Sequence, residues 1–197
     1  GHPNPFEGQQ VNIIWADSLK SNVRGLASRS GVDLVTGVSD RTIHHEFGGH
    51  ILDHLTGADM EETWQKDGYE KDLAKKRAIN NHIKNKTGLS SPSNEDRQQF
   101  VGKTINYRFK GVRQNIIIGE HLNPNGSLKG IPTDYSLTNG AEHRAELWAE
   151  FMMNGYDSLD DQAQTCLTSM AKILSKEPNP TLNKTWFCKE HRQLDLD

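Results

Sequence analysis

The first forty residues carry short apolar runs separated by polar and glycine-rich stretches. Val11 to Trp15 and Val32 to Val38 are predicted to be strands, because short β-branched and apolar runs between polar residues favour extended structure. The segment between them, from Asp17 to Arg29, is predicted to be a helix. The chain is therefore expected to begin with two strands around one helix.

A helical pattern of apolar positions follows directly. Asp40 is a candidate N-cap for this helix, and Gly57 is a candidate stop. The apolar residues at helical spacing, which are expected to face the core, are Ile43, Phe47, Ile51, Leu52 and Leu55.

The middle of the chain predicts helices and one hairpin. Met60 to Lys86 reads as a long charged helix or a pair of helices, ended by the breaker-rich segment from Gly88 to Ser93. Thr104 to Phe109 and Val112 to Ile118 alternate as strands do, with Lys110-Gly111 between them. These two strands are predicted to form a hairpin.

The last third of the chain is predicted to be mostly helical. The loop from Asn123 to Asp134 leads into a helix that starts near Asn139, and Asp157 or Ser158 is expected to cap a further helix that ends at Ser175. A short helical tail follows the prolines beyond it. The pattern as a whole is α+β with helices dominant and a small mixed sheet, and residues 1–197 show no repeat or linker that would divide them.

Length and composition agree with a single domain and give no overall case for binding to nucleic acid or membranes. The chain has 197 residues, within the usual range for one domain, and its mean hydropathy of -0.76 indicates a small core. The net charge of -3 gives no overall case for nucleic-acid or membrane binding, and we expect a monomer. Cys166 and Cys188 are left open between a disulfide and two free thiols.

Candidate chemistry first appears in the segment His45-Glu46-Phe47-Gly48-Gly49-His50. The usual zinc-peptidase helix carries H-E-x-x-H, whose histidines are four residues apart on one face. Here the spacing is five, which places the two imidazoles roughly 140° apart on an ideal α-helix with about 100° per residue. A π-type turn, which has i to i+5 periodicity, would bring them together, and the two glycines make such a distortion less costly.

Two other interpretations of this segment stay open. Glu46, His50 and His54 form an i, i+4, i+8 row, so a regular helix could bind a metal ion through those residues. Alternatively, the segment is an amphipathic helix whose histidines are solvated and bind no metal.

A second cluster runs from Tyr135 into a helix with glutamates at every fourth position, namely Glu142, Glu146 and Glu150. Like charges at this spacing repel by a few tenths of a kcal/mol per pair, about 0.2–0.5, so a row that faces the interior needs a cation. A carboxylate from a separate helix commonly completes a zinc site that begins with two histidines. Asn139-x-x-Glu142 also matches a capping box, in which case Glu146 would be the ligand. The residues alone leave both glutamates open.

These two clusters resemble the gluzincin metallopeptidases, and within them the catalytic domain of anthrax lethal factor and its toxin relatives. His45 to Asp53 is similar to their H-E-F-G-H-x-x-D helix with one glycine inserted. Tyr135, followed seven residues later by Glu142 and then by Ala145-Glu146, is similar to their second motif. The insertion resembles the H-E-x-x-x-H helix of dipeptidyl peptidase III, whose E-E-C-R-A-E segment is similar to residues 141–146. The matched positions number only some thirty, in two blocks.

The resemblance implies a zincin-like fold and a Zn²⁺ centre. It assigns His45, His50 and Glu142 as metal ligands, Glu46 as general base, Tyr135 as hydrogen-bond donor to the transition state, and Glu146 as a supporting carboxylate. Because metal-bound histidines need outer partners, Asp53 and Glu146 are also expected to orient the imidazoles, and an exposed Asp53 is the alternative. The expected activity is zinc-dependent hydrolysis of a protein or peptide substrate, and the expected setting is a secreted or delivered toxin or effector. A non-catalytic zinc-binding domain and a metal-dependent nuclease are the alternatives.

Extended substrates commonly bind beside such a helix by pairing with the edge of a strand. Val32 to Val38 directly precedes the histidine segment. We therefore expect this strand to be the edge that receives the substrate.

Overall fold

The structure is a computed structural model that describes residues 12–19, 23–28, 31–51, 53 and 58–174. Within these residues the fold is mixed α+β, with one three-stranded and one two-stranded sheet among the helices. The α+β class predicted from the sequence is confirmed at this level. No helix in the described ranges combines the length and the apolar character that a membrane span requires.

The three-stranded sheet lies at the start of the described chain. Its strands are β1 (Asn12–Ala16), β2 (Gly25–Ser28) and β3 (Gly31–Val35), in the order β1-β3-β2. β1 runs parallel to β3, and β2 runs antiparallel to it. Val32 and Leu34 alternate along β3 and therefore face one side of the sheet, where both side chains are 1% exposed. The sheet thus buries one face of its central strand.

Two expectations for this region are wrong. Gly25–Ser28 is a strand, although the segment from Asp17 to Arg29 was expected to be helical. Its pairing with β3 is a tertiary interaction that local sequence does not reveal. β3 ends at Val35 and is paired on both sides, so the segment expected to be the edge, Val32 to Val38, does not provide one. Within the part of the chain that the structure describes, the edges of this sheet are β1 and β2. Val11, predicted to begin the first strand, lies outside the described residues.

The histidine segment begins as a short α-helix and then widens. α1 (Asp40–Ile43) is capped by Ser39, whose side chain accepts a hydrogen bond from the backbone N–H of Thr42, so the predicted cap at Asp40 is one residue late. A π-helix, His44–His50, continues from it, and the N–H of Ile51 donates to the carbonyl of Glu46 five residues back. The predicted π-type geometry is confirmed here, whereas Gly57 lies outside the described residues.

The predicted charged helix is a pair, α2 (Ala58–Lys66) and α3 (Tyr69–Thr87), separated by Gly68 at a φ of 82°. A break follows at Gly88, as predicted, and then α4 (Asn94–Gln98). The positive φ at Gly68 favours glycine, because an L side chain is disfavoured in that conformation.

The predicted hairpin is confirmed as β4 (Thr104–Phe109) and β5 (Val112–Ile117). Lys110 and Gly111 both have positive φ in the turn between them. The hairpin shares a buried apolar cluster with α3, which includes Leu73, Ile79, Ile83, Ile105 and Ile116.

The C-terminal helices are α5 (Gly140–Asn154) and α6 (Asp161–Leu174). Their shared core includes Trp64, Leu147, Phe151 and Leu167. Asp160 caps α6 by accepting a hydrogen bond from the N–H of Ala163 at 2.9 Å. The expected caps, Asp157 and Ser158, lie instead in a preceding 3-10 turn, Tyr156–Ser158. Ser175 and the tail beyond it fall outside the described residues.

Cys166 forms no disulfide with any residue that the structure describes, and its side chain is buried within the helical core. Burial raises its pKa to about 12. Cys166 contributes to the packing of this core, and Cys188 lies outside the described residues.

Candidate metal centre

Three side chains from the two sequence clusters converge. The Nε2 atoms of His45 and His50 lie 3.0 and 3.1 Å from the same oxygen, Oε2 of Glu142. Ligand atoms of the three residues all lie within 4.8 Å of one another. A tetrahedral ion with bonds of about 2.0–2.2 Å separates neighbouring ligand atoms by about 3.3–3.6 Å, and the two contacts with Glu142, at 3.0 and 3.1 Å, are close to this range. The group could therefore hold a metal ion.

The π-helix makes this convergence possible despite the five-residue spacing. The two imidazole rings lie 4.8 Å apart between centroids and cross at 84°. His45 is buried, with 6% of its surface exposed, so the alternative in which the histidines are solvated is wrong for this residue. The alternative metal site made of Glu46, His50 and His54 stays a prediction, because His54 lies outside the described residues.

Gly48 and Gly49 allow the π-helix to pack directly on α5. A Cβ atom on Gly49 would lie 2.5 Å from the Cα of Ala145, and one on Gly48 would overlap the indole of Trp148. The φ angles of both glycines are outside the left-handed region. Their main structural effect is therefore close approach between the two helices, in addition to the tolerance of distortion expected from the sequence.

The Glu142 carboxylate is directed at the imidazoles and does not close a capping box. Asn139 caps α5, since its side chain accepts a hydrogen bond from the backbone N–H of Glu142 at 2.9 Å. The carboxylate of the same glutamate contacts His45 and His50. This arrangement combines the capping role of Asn139 with the ligand position proposed for Glu142.

Glu146 contacts the opposite side of the His45 ring. Its Oε1 lies 2.8 Å from Nδ1 of His45, and its Oε2 accepts hydrogen bonds from Arg41 at 2.7 Å and from Thr133 at 2.6 Å. Arg41 also donates to Glu150 at 2.7 Å. His45 is thereby held between two carboxylates, one at each ring nitrogen. The geometry suits a residue that fixes the ring orientation, as outer partners of metal-bound histidines do.

Arg41 and Thr133 were missed by the sequence reasoning. Three glutamates on one face of α5 require more positive charge than one ion supplies, and Arg41 bridges two of them. That excess of negative charge was the feature of the sequence that could have predicted a basic partner for these glutamates. Nothing in the sequence, however, identifies Arg41 among the other cations as the partner.

Charge coupling within the centre is strong. Burial lowers the pKa of His45, but hydrogen bonds to Glu142 and Glu146 outweigh this effect and raise the pKa to about 9. Burial raises the pKa of Glu142, but hydrogen bonds from His45 and His50 lower it to about 2. Burial also raises the pKa of Glu146, but hydrogen bonds from His45, Thr133 and Arg41 lower it to about 2. The three groups form a site that favours positive charge between its carboxylates.

Glu46 and Tyr135 line one cavity together with His45. The cavity has a volume of about 370 Å³, and Arg41 and Glu146 also contribute to its wall. The Tyr135 ring lies 5.7 Å from that of His45, and the residue is 54% exposed. Partial burial and the nearby Glu142 carboxylate raise the pKa of Tyr135. The structure thus places Glu46 and Tyr135, the two residues with a predicted catalytic role, in the wall of one cavity.

Asp53 has a contact different from the one expected. Its carboxylate accepts hydrogen bonds from the Arg144 guanidinium at 2.5 and 3.0 Å. Arg144 is buried, and its guanidinium carbon lies 5.1 Å from the centre of the Trp64 ring. The described geometry ties Asp53 to the packing of α5, and its predicted role in orienting an imidazole stays a prediction.

Comparison with known protein families, with curated proteins and with solved structures finds no match to this chain. The resemblance to gluzincins therefore remains a prediction from two motifs. The structure itself shows that His45, His50 and Glu142 form a group that could hold a metal ion.

Proposed function

We propose that the protein is a zinc-dependent peptidase that hydrolyses peptide bonds of a protein or peptide substrate. One observation carries the proposal. Three candidate ligands meet within 4.8 Å, and two further residues with suitable chemistry, Glu46 and Tyr135, line the cavity at this point.

Zinc is the ion that suits this donor set. Two imidazole nitrogens and one carboxylate oxygen are a common catalytic zinc ligand set, whereas magnesium and calcium prefer oxygen donors alone. When zinc is bound by three protein ligands, it retains an open position for water, lowers the pKa of that water to about 7 and polarises a carbonyl group. The spacing of His45, His50 and Glu142 supports such binding.

Glu46 is proposed as the general base. It follows the ligand His45 in the chain and lines the cavity beside it. Its carboxylate accepts a proton from the attacking water and afterwards donates that proton to the leaving amine. Burial raises the pKa of Glu46, although His50 and His45 act in the opposite direction, and a raised pKa favours this return of the proton.

Tyr135 is proposed to stabilise the transition state. Its raised pKa keeps the phenol protonated at neutral pH, so the O–H can donate a hydrogen bond to the oxygen that develops negative charge. Removal of one such donor commonly costs about 10²–10³ in kcat. Glu146 is proposed to fix the His45 ring through the contact at Nδ1.

β2 is proposed to bind the substrate, in place of the segment expected from the sequence. β2 is an edge of the three-stranded sheet, and Val23, Arg24 and Gly25 line the cavity beside Glu46. An extended peptide can add to such an edge through main-chain hydrogen bonds. The motif resemblance to toxin peptidases supports a secreted or delivered effector as the biological setting.

The proposal is tested with Glu46→Gln and with Glu62→Gln, an exposed glutamate of α2, as the matched control. Both variants and the wild type are assayed for zinc content and for cleavage of a complex peptide mixture by mass spectrometry. We expect Glu46→Gln to retain zinc and lose cleavage, while Glu62→Gln behaves as wild type. Equal cleavage by all three proteins, or none by the wild type, would show that the site is not a peptidase centre. Plasmid DNA incubated with the wild type and divalent metal tests for nuclease activity.

A further inference from the structure

The outward backbone groups of the edge strand β2 can be identified from its pairing. The N–H of Val35 donates to the carbonyl of Arg24 at 3.0 Å, which makes this a hydrogen-bonded pair of the antiparallel ladder. Such pairs alternate with pairs that are not hydrogen-bonded. By the register, the next hydrogen-bonded pair is Leu26 with Asp33. Gly25 and Ala27 therefore direct their N–H and C=O groups away from β3.

The general base proposed above lies against these two residues. A Cβ atom on Gly25 would be 2.5 Å from Cγ, 3.1 Å from Cδ and 3.2 Å from Oε1 of Glu46. Glycine is required here because of this close approach. The register directs the backbone N–H of Ala27 away from β3, and the backbone of Ala27 acts to lower the pKa of the Glu46 carboxyl, as an N–H directed towards it would.

We infer that β2 positions the general base, with Gly25 providing the space for the Glu46 side chain and the Ala27 N–H holding its carboxylate. This inference rests on the proposed function, since it concerns the same centre. A general base must lie within hydrogen-bond reach of the proton it removes, and a glutamate side chain has several rotatable bonds. The two contacts with β2 restrict this freedom.

The same strand would then serve two purposes. An extended substrate that pairs with β2 uses the outward N–H and C=O of Gly25 and the C=O of Ala27, whereas Glu46 uses the Ala27 N–H. The strand β2 therefore positions both the general base and the substrate peptide. Gly25 and Ala27 are positioning residues, because they act on the reaction through Glu46.

The first test is Gly25→Ala. The added methyl group displaces Glu46 while His45, His50 and Glu142 keep their positions. We expect kcat to fall by about 10- to 100-fold, since a displacement near 1 Å can cost about 10²-fold. We expect KM, zinc stoichiometry and the absorption spectrum of the cobalt-substituted protein to be unchanged. Gly119→Ala is the matched control, because its Cβ would meet a flexible Val101 side-chain atom at 3.2 Å, and it should keep wild-type kcat.

Ala27→Pro tests the second contact independently. Proline removes the N–H that faces Glu46, and since this group points away from β3 no ladder hydrogen bond is lost. We again expect a lower kcat with retained zinc. Thermal unfolding of both variants and of Gly119→Ala shows whether the fold is kept.

The outcomes separate this inference from the proposed function. If the wild type cleaves peptides, Glu46→Gln does not, and both β2 variants retain wild-type kcat, the positioning role is refuted and the proposed function stands. Loss of zinc from both folded β2 variants would also refute it, because β2 would then support the ligands and not the base. Absence of cleavage by the wild type would refute the proposed function, and the inference with it.

Discussion

The two segments that form the candidate metal centre are built in contrasting ways. His44–His50 is a seven-residue π-helix with adjacent glycines, whereas α5 is a regular helix of fifteen residues capped by Asn139. The irregular segment supplies two candidate ligands at a spacing of five, and the regular one supplies a single ligand. Gly49 packs against Ala145, a small residue of α5.

The contrast shows where a distortion can be stabilised. A π-helix is rare and tends to occur at functional sites, and here it lies against a buried, regular partner. α5 also carries the glutamates that contact both nitrogens of the His45 ring. α5 thereby stabilises the π-helix. Substitutions in α5 and in the π-helix test this dependence.

The largest effect is expected from Glu142→Gln on the regular side. This change removes the charge of the candidate ligand that both imidazoles contact. Zinc affinity should fall by more than the roughly 10- to 100-fold that follows loss of an outer partner. Zinc titration with a competing chelator measures the change. Glu62→Gln, an exposed glutamate of α2, is the control, and an equal affinity for both variants would count against Glu142 as ligand.

Glu146→Gln should have the next largest effect. The carboxylate at Nδ1 of His45 is replaced by an amide, which weakens the orientation of the ring without removing a candidate ligand. We expect a loss of zinc affinity of about 10- to 100-fold. The same chelator titration checks this, and if Glu146→Gln were the more severe of the two variants, Glu146 would be the better candidate for third ligand.

Gly49→Ala tests the irregular side. The added Cβ would lie 2.5 Å from the Cα of Ala145, so the helices must separate. Overpacking of this kind commonly costs about 1–3 kcal/mol in the free energy of unfolding. Chemical denaturation compares this variant with Gly119→Ala, and equal stabilities would show that the close packing is not needed.

A separate effect is expected from pH on the metal-free protein. The pKa of His45 is raised to about 9 in the folded state, above about 6.5 for an unperturbed histidine. Its stabilising contribution is therefore complete below about pH 6.5 and is lost as pH rises towards 9. Thermal unfolding with a chelator present should show this loss, and His45→Asn should reduce it. A metal-free wild type that gains stability over this range would contradict the assigned coupling.

Local signals made part of this structure predictable. The break at Gly88 and the hairpin turn at Lys110-Gly111 follow from residues that adopt positive φ or end helices. The π-type turn followed from a chemical requirement, since two histidines five residues apart cannot share one ion on a regular α-helix. These features depend on a few neighbouring residues, so the sequence reveals them.

Other parts depend on distant contacts. Gly25–Ser28 becomes a strand through pairing with β3, and Arg41 is recruited by Glu146 and Glu150 more than one hundred positions later. Asp53 occupies a motif position but pairs with Arg144. Neither local propensity nor spacing identifies such partners, because each is selected by the packing of the whole fold.

The central claim is that His45, His50 and Glu142 hold one zinc ion. Zinc titration of the metal-free wild type, with X-ray absorption of the zinc-loaded protein, tests it most directly. We predict one zinc per chain, coordinated by two imidazoles and oxygen donors, with one imidazole lost from the signal in His50→Ala. Absence of stoichiometric binding, or an unchanged coordination signal in His50→Ala, would contradict the claim.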